Sequence, residues 1–270
     1  MKVVLLMGGA GNRLFQIARA WDLKAAGHDP ILVPVEAVPE IDWFASRFLG
    51  WTRHRHWADM DLLAREMGMT RRDLSASARL AILAELVLTR LPGGKARFNL
   101  PLDADDRTAQ IGYFQGDGCL SPASVAAVSD ALADMLPLSG HPAHAAVVHI
   151  RGGDFAQEDR LSAAEVHRFS SATGGMCMGV TNDPAYVNAH FPALSLAPST
   201  GALDDFCTLC KAQTIMPSNS TFCFWACTIA TRRSGAKLWL RPPDSYWNLL
   251  DPSAWHPEAL NGQGVATRGV

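Results

Sequence analysis

The sequence lacks an apolar run long enough to cross a bilayer as a helix. The longest candidate, residues 80–91, is interrupted by Glu85 and Arg90, whereas a membrane-spanning helix needs roughly 20 apolar residues. Residues 1–7 lead from one lysine through a short apolar strand pattern into Gly8 and Gly9, without the apolar segment or the cleavage site of a signal peptide. We therefore expect a soluble, cytoplasmic protein.

The sequence also lacks an excess of either charge. Lys and Arg total 24 and Asp and Glu total 26, so the net charge of -2 provides no general attraction for nucleic acid or an anionic membrane. We predict no nucleic-acid partner. A hydrophobic fraction of 48% over 270 residues is enough for one large core or two smaller ones. The six cysteines are expected to be reduced thiols.

Short apolar runs alternate with segments of helical period, which predicts an α/β fold built on parallel sheets. Two such series are separated by residues 137–142, which are rich in Pro and Gly. We predict one domain over residues 1–140, a second over 141–250 and a tail over 251–270. The predicted strands are 3–7, 31–35, 109–114, 145–150, 176–181 and 237–240. The main predicted helices are 12–26, 123–135, one that starts at Ser162 with Glu165 in a capping box, 184–190, 204–212, and 220–232 ended by Gly235.

Three segments carry candidate chemistry. The turn Gly8-Gly-Ala-Gly-Asn-Arg-Leu-Phe15 joins a strand to a helix, where glycines admit a ligand close to backbone N–H groups, although a plain tight turn explains it equally well. Arg151 follows a strand in His149-Ile-Arg-Gly-Gly-Asp154, a position that lines the ligand crevice of an open α/β sheet; it either binds phosphate or pairs with Asp154. Asn219-Ser-Thr-Phe222 begins a helix, which either holds a phosphate or is simply capped.

Two further motifs, Gly112-Tyr-Phe-Gln115 and Thr181-Asn-Asp-Pro184, complete a set of five. In this order the five motifs resemble those of the bacterial α-1,2-fucosyltransferase family: G-G-x-G-N-Q-x-F-Q, G-Y-F-Q, H-I-R-R-G-D-Y, S-D-D-P and N-S-T/S-F-S-W-W. The resemblance extends from Met1 to about Trp247. The order of the motifs, rather than any one of them, carries the signal.

This resemblance implies a GT-B type inverting glycosyltransferase, with two Rossmann-like domains facing a cleft. It implies GDP-fucose as the donor substrate, a glycan hydroxyl as acceptor, no metal or other cofactor, and possible peripheral association with a membrane that carries a lipid-linked glycan. Arg151 is expected on the pyrophosphate and Asp205 on guanine. The implied catalytic residues are Arg151, Asn12 and Asp154. The implied donor-binding residues are Gly9, Gly11, Asn12, His149, Arg151, Asn182, Asp183, Asp205, Ser220, Thr221 and Phe222.

The chemistry of sugar transfer fits these residue types. Cleavage of the bond between sugar and GDP builds negative charge on the β-phosphate, and a fixed guanidinium at Arg151 stabilises that charge without a metal. Transfer with inversion also needs a base for the acceptor hydroxyl. Asp154, Glu158 and Asp159 are candidates by position, and each is equally well explained as a solvated loop carboxylate.

Several positions depart from the family pattern. Gly152 replaces the second arginine, Arg13 replaces a glutamine, Asn182 replaces an aspartate, and Phe224 replaces a tryptophan. Loss of the second arginine weakens donor binding, changes the donor or marks a low-activity member, unless Arg13 restores the charge. Two alternatives therefore stay open: a degenerate nucleotide-sugar-binding protein of the same fold, and a transferase that uses another nucleotide sugar.

The cysteine spacing Cys207-x2-Cys210-x12-Cys223-x3-Cys227 is one that a structural zinc site can use. Aromatic and aliphatic residues interleave with these cysteines at helical spacing, which favours buried core thiols. We therefore predict no metal site here and keep zinc as the minor alternative.

Overall fold

The computed structural model describes residues 2–48, 60–69, 74–89, 98–103, 107–152 and 161–257. The chain divides into two compact units, Met1–Asp134 and Met135–Val270. The division falls near the end of a helix, before the breaker-rich residues 137–142. Each unit is built on a parallel sheet with helices, so the predicted α/β class is confirmed.

The first unit holds a three-stranded parallel sheet in the order β2-β1-β3. Its strands are β1 (Lys2–Leu6), β2 (Pro30–Pro34) and β3 (Ala109–Gln110). The core lies where the apolar side chains of β1 and β2 pack against α2 and α4. The helices are α1 (Ala10–Ala25), α2 (Pro39–Phe48), α3 (Met60–Glu66), α4 (Ala76–Leu88) and α5 (Pro122–Met135).

The second unit holds a five-stranded parallel sheet in the order β6-β5-β4-β7-β8. Its strands are β4 (His144–Ile150), β5 (Cys177–Thr181), β6 (Ser195–Leu196), β7 (Ala212–Met216) and β8 (Lys237–Leu238). The helices are α6 (Ala163–Ala172), α7 (Pro184–His190), α8 (Ala202–Cys210) and α9 (Thr221–Ser234). The central strand β4 is buried from Ala146 to Ile150, as expected for a strand covered on both faces.

Two predicted segments differ from the structure. The helix predicted over 204–212 ends at Cys210, and after Lys211 the chain enters β7, which pairs with β4 and was not predicted. The strand predicted over 109–114 stops at Gln110, and Phe114 within the predicted range takes a left-handed backbone conformation with φ of 54°, which a strand does not accommodate.

Two predicted helix ends are reproduced in detail. Ser162 and Glu165 form both hydrogen bonds of the capping box that starts α6, and Gly235 ends α9 in the left-handed conformation with φ of 68°. Within the described part of the chain, none of the helices combines the length and the apolar character needed to cross a membrane.

Candidate functional site

In the second unit, three strands deliver polar residues to one edge of the sheet. All its strands run parallel, so their carboxyl ends meet at the same edge. Register pairs Ile150 of β4 with Thr181 of β5, and Val148 of β4 with Met216 of β7. The half-buried Arg151 therefore emerges between the residues that follow β5 and those that follow β7.

The turn after β5 supports the backbone after Arg151. Asn182 accepts a hydrogen bond at Oδ1 from the backbone N–H of Gly152, over 3.1 Å. Asp183 caps α7 by accepting from the backbone N–H of Tyr186 at 3.0 Å. These contacts give both residues a role in shaping the strand end that presents Arg151.

Asp183 also occupies the space beside Gly152. A Cβ atom at Gly152 would lie 2.8 Å from Cβ and 3.1 Å from Oδ2 of Asp183, closer than ordinary packing permits. A larger side chain at position 152 therefore requires the Asp183 side chain to shift. In this chain a carboxylate fills the space.

His149 joins β4 to the segment that follows β7. Its Nδ1 atom lies 2.6 Å from the hydroxyl oxygen of Ser218, and its ring stacks on Phe222 with centroids 5.8 Å apart. The side chain is 3% exposed. The sequence predicts His149 as a donor-binding residue, and in the structure this side chain fixes the start of α9 relative to β4. Phe222 packs edge-on against Phe206 of α8.

The first turn of α9 begins just beyond β7. Ser220 is the N-cap residue, but its side chain makes no capping hydrogen bond, and Thr221 is the first helical residue. A 14-residue helix places a partial positive charge at this end. Together with Arg151 of the adjacent strand, this end of the sheet is suited to an anion.

Asp205 lies half-buried in the first turn of α8. Burial raises the pKa of its carboxyl group above the usual value, a shift that a hydrogen bond from Ser199 and attraction to His149 partly oppose. A half-buried carboxylate at this position can accept paired N–H donors from a planar base.

The four cysteines of α8 and α9 are buried thiols. The Sγ atoms of Cys223 and Cys227 lie 3.8 Å apart. Burial alone would raise the pKa of Cys223, but hydrogen bonds with Cys227 and His149 lower it, whereas the pKa of Cys227 is raised. Among the residues that the structure describes, no group of three or more His, Cys, Asp or Glu side chains is placed to hold a metal ion.

In the first unit, the glycine-rich turn also lies at the carboxyl end of a strand. Gly8 has φ of 75°, and a Cβ there would lie 2.7 Å from Nδ2 of Asn12 and 3.1 Å from the ring of Tyr113. Gln115 donates from Nε2 to Oδ1 of Asn12 at 2.9 Å. Gly9 is the N-cap of α1 with open space around it, and Gly11 is buried in the helix.

Two side chains that the sequence did not single out shape this turn. The buried Gln16 accepts from the backbone N–H of Met7 at 2.8 Å and donates to the carbonyl of Gly112 at 2.9 Å, which ties β1 to the segment after β3. Asn99 accepts from the backbone N–H of Phe114 at 2.7 Å and stabilises its left-handed conformation. Gln16 matches the last glutamine of the family motif G-G-x-G-N-Q-x-F-Q, and this match was the available signal.

Arg13 does not supply a spare positive charge. Its guanidinium makes two hydrogen bonds of 2.8 Å to the two carboxylate oxygens of Glu36, and Nε donates to the carbonyl of Gly8 at 3.3 Å. This bidentate pair lies within the first unit and neutralises the cation. The hypothesis that Arg13 restores the charge lost at Gly152 therefore finds no support.

The base candidates Asp154, Glu158 and Asp159 lie outside the described residues. Asp154 was also predicted as a catalytic residue, and that assignment stays a prediction. Of the predicted site residues that are described, those of the second unit gather at one sheet edge, and Gly9, Gly11 and Asn12 belong to the first unit.

The chain matches no protein-family model and no curated protein. Among solved structures it is similar to an E. coli heptosyltransferase, WaaC, with ADP, at 11% identity and a TM-score of 0.43 over 98% of this chain and 97% of that one. It is also similar to POFUT1 in complex with GDP, at 9% identity and a TM-score of 0.40 over 88% and 97% of the two chains. A third likeness is to a putative UDP-N-acetylglucosamine 2-epimerase from Listeria monocytogenes, at 10% identity and a TM-score of 0.40 over 98% and 83%. Likenesses this distant carry no argument about the chemistry of this chain.

Proposed function

We propose that the chain is a GT-B type inverting glycosyltransferase that transfers fucose from GDP-fucose to a hydroxyl group of a glycan. One observation carries the proposal: Arg151 follows β4 at the sheet edge where α9 begins after the neighbouring strand β7. A cationic side chain and a helix N-terminus at the crevice of a parallel sheet form a site for a diphosphate.

The donor nucleotide would lie along this edge of the second unit. Arg151 and the first turn of α9 would hold the phosphate oxygens, and Asp205 would accept hydrogen bonds from the N–H groups of guanine. His149 fixes the start of α9 through Ser218 and Phe222, so its contribution to donor binding would be to keep the phosphate site in place. The choice of guanine and fucose rests on the motif resemblance.

Arg151 would stabilise the negative charge of the leaving group. As the bond from the sugar carbon to the β-phosphate oxygen breaks, its electron pair goes to that oxygen, and the guanidinium stabilises the growing charge more strongly in the transition state than in the ground state. The acceptor hydroxyl loses its proton to a base and forms the new bond from the opposite face. The base is unassigned, because its candidates lie outside the described residues.

The edge of the first unit would serve the acceptor and the sugar. Its polar groups are largely neutral: the Asn12 amide, Gln115 and the Tyr113 hydroxyl, whose pKa burial raises. Neutral donors and acceptors suit sugar hydroxyls better than they suit a phosphate. A glycan acceptor carried on a membrane lipid is part of this proposal.

We further propose that transfer needs no metal, because Arg151 and α9 supply the positive charge at the diphosphate. Treatment with EDTA should leave the transfer rate unchanged. Loss of activity that manganese or zinc restores would contradict this part of the scheme.

A thermal-shift comparison tests the donor assignment. GDP and GDP-fucose should raise the melting temperature in proportion to site occupancy, whereas UDP-sugars and NAD should not. No shift with any guanine nucleotide would refute the assignment to GDP-fucose, and a shift with another nucleotide sugar instead would name that donor.

A second candidate, a nucleotide-sugar-binding protein without transferase activity, is favoured by one observation. Gly152 stands where the resembled family carries a second arginine, so the phosphate site has one fewer cation. Release of GDP from GDP-fucose, measured with and without a glycan acceptor, separates the two. Binding without any release would support the second candidate.

A further inference from the structure

Asn219, just before the N-cap of α9, is held in one orientation by two residues of the short helical turn Ser245–Leu249. Its Oδ1 atom accepts two hydrogen bonds of 3.2 Å, one from the hydroxyl of Tyr246 and one from Nε1 of Trp247. The indole N–H is a donor only, so the amide atom that faces it must be the oxygen. The amide nitrogen Nδ2, with its two hydrogens, therefore points away from this pair.

The two donors are themselves immobilised. Trp247 is completely buried and Tyr246 is 3% exposed. Both rings pack edge-on against Phe224 of α9, with centroids 5.3 and 5.4 Å away. An amide held by two side chains locked in an aromatic cluster has little freedom to flip, so it is pre-organised.

The amide nitrogen Nδ2 of Asn219 lacks a hydrogen-bond acceptor among the described residues of the second unit. The residue as a whole is 8% exposed. Nδ2 is not one of the fully buried polar atoms that lack a partner, so it reaches the surface. A donor held in a fixed direction at a helix start, beside a cap residue whose side chain makes no capping bond, can therefore meet an acceptor from outside the chain.

We infer that Nδ2 of Asn219 donates a hydrogen bond to a phosphate oxygen of a bound nucleoside diphosphate, and that Tyr246 and Trp247 are positioning residues for it. This inference rests on the proposed function, which brings a diphosphate to the N-terminus of α9. It adds the short helical turn Ser245–Leu249 to the parts of the chain on which donor binding depends. A phosphate oxygen fits because it offers only acceptors to a group that offers only donors.

The variant Asn219→Asp separates a ligand contact from a structural one. Aspartate has the same shape and still accepts from Tyr246 and Trp247, so the melting temperature should stay the same or rise. It replaces the N–H donors by a carboxylate oxygen, which repels phosphate. We expect the affinity for GDP to fall about tenfold or more, while the affinity for guanosine, which lacks phosphates, stays unchanged.

Asn248→Asp is the matched control, because it makes the same substitution at an exposed side chain of the short turn that also carries Tyr246 and Trp247. It should leave both affinities unchanged. Tyr246→Phe is a second variant, which removes one hydrogen bond to Oδ1 and should weaken GDP binding severalfold without changing guanosine binding.

The inference is overturned if Asn219→Asp binds GDP as the wild type does, or if the affinities for GDP and guanosine fall together. If the wild-type protein binds no nucleoside diphosphate, the proposed function itself fails, and this inference fails with it. The wild-type titration therefore distinguishes the two failures.

Discussion

The two sheet edges of this protein use similar backbone geometry for different chemistry. In the first unit the turn after β1 is shaped by Gly8 and by neutral side chains, and the cation of Arg13 in this turn is neutralised by Glu36. In the second unit the edge after β4 carries Arg151 beside the start of a 14-residue helix. The first edge offers hydrogen bonds, and the second also offers positive charge.

In the proposed function, this difference would let one α/β plan serve the two substrates of a transfer reaction. A diphosphate needs compensation of its charge, which a guanidinium and a helix N-terminus supply. Sugar hydroxyls need directional but uncharged partners. If the account is right, substitutions at the second edge should act on phosphate recognition, and substitutions at the first should act on local backbone shape and on the sugar.

The largest effect is expected from Arg151→Ala. If the guanidinium stabilises the leaving group, the transfer rate should fall about a hundredfold, on the order of 3 kcal/mol, with folding intact. Arg151→Lys should recover little, because an ammonium group cannot form two parallel hydrogen bonds to a phosphate. Steady-state kinetics and circular dichroism check this, with Arg233→Ala at the opposite end of α9 as the control that should keep full activity. Near-normal turnover of a stable Arg151→Ala would make the arginine structural.

Gly152→Arg should destabilise the second unit rather than improve it. The new Cβ would overlap the Asp183 side chain, and overpacking of this kind costs about 1–3 kcal/mol. We expect a lower midpoint of urea unfolding and no gain in GDP affinity. Gly140→Ala, where nothing lies within 4 Å of the added methyl group, should leave the midpoint unchanged. A stable Gly152→Arg that binds GDP more tightly would show that the edge has room for a second cation.

Gly8→Ala and Gly9→Ala form a matched pair at the first edge. Gly8 has φ of 75° and its added methyl would press on the Asn12 amide, so this variant should lose about 1–2 kcal/mol of unfolding free energy. Gly9 has φ of -71° and open space around it, so its variant should keep the stability of the wild type. Chemical denaturation measures both. Equal losses would mean that the shape of the turn does not depend on the left-handed glycine.

The smallest effect, and one that depends on pH, is expected from Asp205→Asn. Folding raises the pKa of Asp205 above its usual 3.8, so ionisation destabilises the folded protein as the pH rises through the raised pKa. The variant should melt slightly higher than the wild type at neutral pH, and the gain should vanish below about pH 3.8, where the carboxyl group is protonated in both states. Its affinity for GDP should fall, because guanine loses an ionised acceptor.

Asp204→Asn, one residue earlier, should behave in the opposite way. Hydrogen bonds from Thr200 lower the pKa of Asp204, so its charge favours folding above the usual pKa and that contribution is lost on acidification. The variant should melt lower at neutral pH and bind GDP normally. Melting curves from pH 3 to pH 8 give both signs in one experiment.

Local signals predicted much of the fold. The capping box at Ser162 and the left-handed Gly235 were readable because each depends on a few adjacent residues. Strand β7 was missed because a single residue, Lys211, separates it from α8, with no glycine or proline to mark the change. Its strand character comes from pairing with β4, a contact far apart in the sequence.

The candidate site, like the fold, could be predicted only where the signal is local in the sequence. The strand-end location of Arg151 follows from the alternation of strands and helices, and the structure places it there. The turn at Phe114 depends on Asn99, and the orientation of Asn219 depends on side chains 27 and 28 positions away. Contacts between residues this far apart in the sequence depend on tertiary packing, so no local sequence pattern predicts them.

In the proposed function, the edge after β4 and the start of α9 together form a diphosphate site. Calorimetric titration of the wild-type protein with GDP and with guanosine is the decisive experiment, because the two ligands differ only in the phosphates. We expect GDP to bind at least about a hundredfold more tightly, since several charge-assisted hydrogen bonds are added. Equal affinities for GDP and guanosine would mean that no diphosphate site exists at this edge.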